Sequence, residues 1–307
     1  MQNLYLTLFL YAALAFTGCS KVLDNSLFVE GYTDSELEQD EIGDGSSPDE
    51  VLEGQIKVIS FNVRTGNADD GTQNAWGNRN KAIPVMLKKE NPTVFGVQEA
   101  LRYQMNYIRD NVPGYGCIGV GRDDGADAGE IMGIFYKTDL LDLGENGTFW
   151  LSETPEKPSK GWGANYYRTA TWAIFTVKET GKKFFYMNTH LDHQSSDARR
   201  NSILLICDKI RELNASGYPA LLTADFNSSV DDAIFNPLKL IMKDARATSP
   251  VTDQSNTYNG WGTGSGIIDH IFYSGLIPLE YRTIMDRWEG VQYISDHYPI
   301  SALFSYE

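Results

Sequence analysis

The sequence predicts an α/β fold in which two mixed, mostly antiparallel sheets pack face to face with helices on their outer surfaces. Three observations carry that expectation. Short apolar runs rich in β-branched and aromatic residues recur along most of the chain, with only a few amphipathic helical segments between them. At 307 residues and 42% hydrophobic content, the chain suffices for one large core. So many strands in a single domain need two sheets to bury them.

The first element is LYLTLFLYAALAF (4–16), an apolar run with the length of an export-signal core and too short to span a bilayer comfortably. Thr17-Gly18-Cys19-Ser20 follows and resembles the lipobox of bacterial lipoproteins. Residues 1–18 would then be a removable signal, and Cys19 a lipid anchor to a membrane. An ordinary signal peptide with an incidental cysteine is the alternative. Residues 24–54 hold eleven of the 41 acidic residues and no Lys or Arg, so 19–54 reads as an acidic, disordered tether ahead of a 55–307 domain. Without that segment the formal charge of −15 shrinks to about −5. Such a balance admits a phosphorylated substrate but supplies no basic stripe, hence no extended groove, for a long nucleic acid. Cys19, Cys117 and Cys207 fit neither a disulfide framework nor a zinc motif.

From Ile56 the pattern alternates strand and helix, then becomes strand-rich. IKVISFNV (56–63) and TVFGVQEA (93–100) read as buried strands, with helices over 78–91 and 101–112. Strands follow at 115–121, 130–138, 140–152, 169–180 and 182–191. The segment 195–216 is a long amphipathic helix, capped by Ser195 or Ser196 and stopped between Asn214 and Gly217. A buried strand at 219–227, a helix near 231–242 and strands at 266–275, 279–286 and 297–307 complete the domain.

Strand after strand ends in a polar residue of a kind that binds metal or phosphate: Asn62, Gln98-Glu99, His190, Asp225 and Asn227, Asp269, and Asp296-His297 in the loop before the last strand. Separated in sequence, they can converge at one rim of a rigid scaffold. In MNTHLDHQ (187–194), alternation puts Asn188, His190 and Asp192 on one face and His193 on the other. That strand cannot place both histidines on one metal.

The series SFNVR (60–64), QE (98–99), THLDH (189–193), ADFN (224–227), IDHIF (268–272) and SDHYP (295–299) resembles the endonuclease/exonuclease/phosphatase superfamily across 55–307, in the family's order. The resemblance implies a four-layer α/β/β/α sandwich and a metal-dependent phosphoesterase that hydrolyses a phosphodiester or phosphomonoester by in-line attack of water. Oxygen donors without thiolates select Mg²⁺ or Mn²⁺. The matching positions imply Asn62, Glu99 and Asp296 around the metal, and Asp225 with Asn227 at the attacking water. They imply a His297–Asp269 pair beside the developing charge, and His190 donating to the phosphate or leaving oxygen.

Tyr167-Arg168-Thr169 resembles a segment of nocturnin-like members in which the arginine faces the active site, so Arg168 is expected to grip phosphate. Asn188 and Asp192 are expected on the substrate side, with Arg199 or Arg200 near the substrate or Asp192. His193 and His270 are left outside the mechanism. Trp162 and Trp261, beside glycines, are expected as a stacking rim, and Trp150 as core. The expected protein is an exported, monomeric, periplasmic or outer-membrane-anchored lipoprotein acting on a phosphorylated small molecule, glycan or nucleotide. A sphingomyelinase-like or nuclease activity is an alternative, and a catalytically silent binding lipoprotein another.

Overall fold

Twelve strands form two six-stranded sheets in the computed structural model, which describes residues 54–306. Residues 1–18, Cys19 and the tether up to Glu53 lie outside that range. The first sheet holds β1 (Gln55–Asn62), β2 (Val94–Ala100), β3 (Tyr115–Ile118), β4 (Ile131–Lys137), β11 (Leu276–Thr283) and β12 (Ile300–Tyr306), in the order β11-β12-β1-β2-β4-β3. The second holds β5 (Leu141–Trp150), β6 (Thr169–Val177), β7 (Lys183–His190), β8 (Ala220–Asp225), β9 (Lys243–Asp244) and β10 (Asp269–Ser274), in the order β5-β6-β7-β8-β10-β9. Strand neighbours are antiparallel except at the centre of each sheet, where β1/β2 and β7/β8 run parallel.

Alternation sorts each strand's side chains into two layers. Ile56 and Val58 of β1, Val94 of β2, Phe184 and Tyr186 of β7, Leu221 of β8 and Ile271 of β10 meet in the layer between the sheets. The opposite faces pack under helices. Phe95 and Val97 of β2 lie against Ala82, Ile83, Met86 and Leu87 of α2 (Ala82–Glu90) and Met105 and Ile108 of α3 (Arg102–Asn111). Phe185 and Met187 of β7 lie against Ile203, Ile206 and Ile210 of α4 (Ser196–Leu213). Ser195 caps α4, its hydroxyl accepting the Ala198 N–H at 3.1 Å. The result is the four-layer sandwich.

The layer between the sheets has one polar tie near its end. Asn188 donates to the carbonyls of Val97 and Gly133, both at 2.9 Å, and its Oδ1 accepts from Gln98 at 2.7 Å and Thr223 at 3.0 Å. Gly96 makes room for it, since a Cβ there would stand 2.5 Å from the Asn188 amide carbon.

Several segments are shorter or more broken than the sequence predicts. The 78–91 segment is two helices, α1 (Trp76–Arg79) and α2, which ends on Asn91 in the left-handed conformation. Strand 115–121 stops at Ile118, because Gly119 turns to φ 131°. In place of a helix over 231–242 there is a 3₁₀ turn and α5 (Asn236–Lys239), with Pro237 in its first turn. The short strand β9 and α6 (Ala245–Thr248) carry too few residues for any periodicity to announce them.

Candidate active site

The carboxyl ends of the parallel pairs open at the same rim, where the layer between the sheets runs out into solvent. Asn62, His190 and Asp225 end β1, β7 and β8, all on the inter-sheet faces of their strands. Register places His190 opposite Asp225 and Asp269 opposite Asp225 on the other side. Glu99 is the exception: alternation assigns it to the helix-facing side with Phe95 and Val97, but the β2/β4 register shifts beyond Val97 and Glu99 takes φ 62°. That bulge turns its carboxylate into the rim. Arg64 at φ 55° and Asn227 at φ 51° are aimed the same way, and left-handed backbone at non-glycine residues costs about 1–2 kcal/mol each.

These side chains line an open cleft of about 500 Å³. Asp225 is at its centre. Its Oδ2 accepts from the Asn62 amide at 2.9 Å and stands 3.4 Å from His190 Nε2 and 3.7 Å from His297 Nε2, while its Oδ1 accepts the Asn227 N–H at 3.0 Å. Burial pushes the Asp225 carboxyl up to about 7, against the pull of the His297 charge. His297 donates from Nδ1 to Asp269 at 2.8 Å. Burial disfavours its cation, but Asp269 and Asp225 outweigh that and raise it to about 10. His190 goes the other way: burial, then Arg168 and Arg122, hold it well below 6.5. The Asn227 amide N–H pointing at His190 Nε2 at 3.0 Å fixes the neutral tautomer, with the proton on Nδ1. That Nδ1 is buried and has no partner in the protein.

On the opposite wall, Arg122 and Arg168 both stack on the Tyr166 ring, at 5.5 and 5.8 Å. Arg168 is 4% exposed, and its Nε and Nη1 have no hydrogen-bonding partner, nor has Nε of Arg122. Two buried guanidiniums with idle donors are the complement of an anion with several oxygens. Glu130 accepts one Arg122 N–H at 2.5 Å, while burial and Glu99 push its carboxyl up to about 7.

The donor set also fits a divalent cation. One ligand atom each from Glu99, His190 and Asp225 lie within 4.8 Å of one another. The Asp225 and Asp296 carboxyls are both raised by burial and neighbouring acids, a like-charge strain that a hard cation relieves. Arg64 stands 3.9 Å from Glu99 and 3.6 Å from Asp296, and spans the pair of carboxylates.

Of the residues expected from sequence, Glu99, Arg168, His190, Asp225, Asn227, Asp296 and His297 line the cleft, with Asp269 directly behind His297. Asn62 sits under it, but offers N–H groups to Glu99 and Asp225 and gives its Oδ1 to the Arg64 N–H. Two expectations need correction. Asn188 shares the His190 face as alternation requires, yet it lies one step deeper, fully buried and fully bonded between the sheets, so it cannot reach a substrate. Asp192 is 1% exposed and accepts the N–H groups of Gln194 and Ser195 at 2.9 and 2.8 Å. It buttresses Arg168 at 3.5 Å instead of lining the cleft.

His193, set aside on sequence grounds, lines the cleft 3.1 Å from Arg168 and stacked on Tyr166. His270 is buried and bonded to the Ser228 carbonyl. Arg199 donates to the Asp192 carbonyl, whereas Arg200 pairs with Asp197. Arg64, Thr65, Arg122, Glu130, Tyr166, Tyr258 and Ile268 complete the lining. Arg64 is the last residue of SFNVR and Tyr166 lies beside the YRT segment, where proximity was a signal; Arg122 and Glu130 flank an irregular loop with none.

This is a deoxyribonuclease I-like sandwich with an oxygen-rich, cation-walled cleft at the open end of its inter-sheet layer. The chain belongs to the endonuclease/exonuclease/phosphatase family, whose profile matches residues 59–297, and it is a phosphoesterase of that family. A family protein from Bacteroides vulgatus is 35% identical, with a TM-score of 0.78 over 82% of this chain and 99% of that one. A mannosyl-6-phosphatase from Bacteroides thetaiotaomicron is likewise 35% identical, with a TM-score of 0.77 over 82% of this chain and 100% of its own. The human nocturnin catalytic domain, 16% identical with a TM-score of 0.65 over 83% and 94% of the two chains, shares the fold. A protein of Acanthamoeba polyphaga mimivirus is 27% identical over 81% of this chain and 100% of its own length.

Proposed function

We propose that this protein is a metal-dependent phosphomonoesterase that releases phosphate from a phosphorylated sugar or glycan. The observation that carries the reading is Asp225, fixed between Asn62, His190 and His297 in a cleft shared with Arg122 and Arg168, each of which keeps N–H groups free of hydrogen bonds. Three terminal oxygens and a double charge are what such a pair accommodates, and a diester has fewer of both. Likeness to the mannosyl-6-phosphatase supports the sugar. The candidate cation holders are Glu99 and Asp296; Mg²⁺ or Mn²⁺ bound there would neutralise phosphate charge and polarise the scissile bond.

The chain's own residues supply the rest. Arg168 and Arg122 grip the terminal oxygens and orient the phosphorus for in-line attack. Asp225, fixed by the Asn62 amide and the Asn227 N–H, takes the proton of the attacking water. The His297 cation, held by Asp269, stabilises the charge that builds on phosphorus. His190 directs its Nδ1–H to the leaving oxygen. The apolar segment 4–16 and Cys19 support an exported, membrane-tethered location.

Phosphate release from mannose 6-phosphate, compared with hydrolysis of bis(p-nitrophenyl) phosphate, tests the reading. Wild type is expected to prefer the monoester and to lose turnover to a chelator, with recovery on adding Mg²⁺ or Mn²⁺. Asp225→Asn is expected to cut kcat by roughly 10²–10⁴-fold with an unchanged melting temperature. Retained turnover in that variant, or preference for the diester, would overturn it.

A further inference from the structure

A second groove, of about 340 Å³, is lined by Gln73, Asn78, Lys81, Trp261, Glu289, Gln292 and Tyr293. Its chemistry differs from that of the cleft. One lysine offsets one glutamate, and the remainder is amide, phenol and indole. Such a lining has hydrogen bonds for hydroxyl groups and a flat ring for C–H faces, but no net positive charge to attract a phosphate.

The indole is fixed with unusual care. Gly260, Trp261 and Gly262 are all left-handed, at φ 50°, 59° and 92°. Asn259 Oδ1 accepts the Trp261 N–H at 2.9 Å, the Trp261 side chain bonds Asp70, and the Arg79 guanidinium lies 5.6 Å from its ring. A Cβ on Gly262 would stand 2.6 Å from the Tyr293 hydroxyl, so glycine lets the turn close on the second aromatic. Backbone strain at a tryptophan needs a reason. Core packing does not provide one, because Trp261 is only half-buried and belongs to none of the hydrophobic clusters among the described residues.

The turn is also bolted to the catalytic loop. The N–H groups of Asn259 and Gly260 donate to the Asp296 carbonyl at 2.8 and 3.0 Å, and the Asn259 amide donates to the Ser295 carbonyl at 3.1 Å. Asp70 in turn holds Arg64, which lines the cleft, by two hydrogen bonds. A ligand spanning both places would meet one rigid body.

We propose that this groove is a subsite for a neutral sugar unit of a glycan whose phosphorylated residue occupies the catalytic cleft. The proposal rests on the phosphatase reading, and it makes an oligosaccharide phosphate, not a free sugar phosphate, the preferred substrate.

The test compares mannotriose bearing a terminal 6-phosphate with mannose 6-phosphate. Trp261→Ala, and separately the double variant Gln73→Ala/Gln292→Ala, are expected to lower kcat/KM on the trisaccharide about tenfold and to leave the monosaccharide unchanged. The double variant spares the Asp70 and Arg79 contacts, so it separates the subsite from the turn's structural role. Equal losses on both substrates, or no loss on either, would overturn the subsite. Neutral mannotriose, cellotriose and chitotriose, titrated into wild type, are expected to shift the Trp261 indole N–H resonance for at least one sugar; silence with all three also overturns it. Should wild type release phosphate from neither substrate, the phosphatase reading fails, and the neutral-sugar titration alone decides the groove.

Discussion

His297 lies between Asp269 and Asp225, and both carboxylates act on it in one direction. The sign of the resulting pH dependence follows for protein stripped of metal. An imidazole raised from 6.5 to about 10 contributes stability that is complete below 6.5 and is lost as pH climbs toward about 10. Asp225, raised from 3.8 to about 7, acts the same way: folding is favoured while it is protonated, and that gain fades as pH rises through about 7. Urea denaturation of the chelated protein is expected to show stability falling across both windows, with Asp269→Asn flattening the upper one; a level profile in the parent protein would contradict the charge assignment. Arg168 allows a second prediction. Arg168→Lys keeps the charge but loses the planar fork, so KM for a phosphomonoester is expected to rise about tenfold with kcat little changed, read from initial rates at saturating metal.

At the scale of single elements, β2 and β7 show what the sequence made legible and what it hid. The inward faces of β1, β7, β8 and β10 follow strict alternation, so Asn62, His190, Asp225 and Asp269 are readable from a period of two. Asn188 obeys the same period, but alternation fixes a face and not a depth, which is why a buried tie looks like a substrate contact. Glu99 reaches the rim only through a bulge, and nothing in VFGVQEA announces the shift. The loop carrying Arg122 has no period at all. The tie itself is testable: Asn188→Leu strands the Val97 and Gly133 carbonyls and the Gln98 and Thr223 donors, at about 1–3 kcal/mol per unsatisfied group. The variant is expected to unfold at markedly lower denaturant, or not to fold. Gly96→Ala, which drives a methyl into the Asn188 amide, is expected to cost about 1–3 kcal/mol by the same measurement.

For the molecule as a whole, the two-sheet sandwich was legible because eleven strand-like runs in one chain leave few other ways to bury them. The site was legible because the fold collects strand ends, and the chemistry-bearing residues stand at those ends. Only half of the cation wall was: Arg168 stood out in the YRT segment, whereas Arg122 joins it only through the Tyr166 ring. The run of acids without Lys or Arg at 24–54 has the composition of a tether and not of a core element, so removing residues 1–53 is expected to leave the melting temperature and kcat/KM unchanged in matched assays. A large drop in either would show that the acidic segment takes part in the domain.

The pairing of β1 with β12 has a consequence in time. Gln55 lies opposite Ser305 and Ser60 opposite Ile300, so the first strand of the domain waits for the last before its outer edge is covered. During synthesis the sheet that carries Asn62 and Glu99 has an open side until almost the whole domain has left the ribosome, and closing it requires a contact between distant parts of the chain. Such a chain completes its fold late. A product stopped before Ile300 would expose edges on both β1 and β11, ready to pair with other chains.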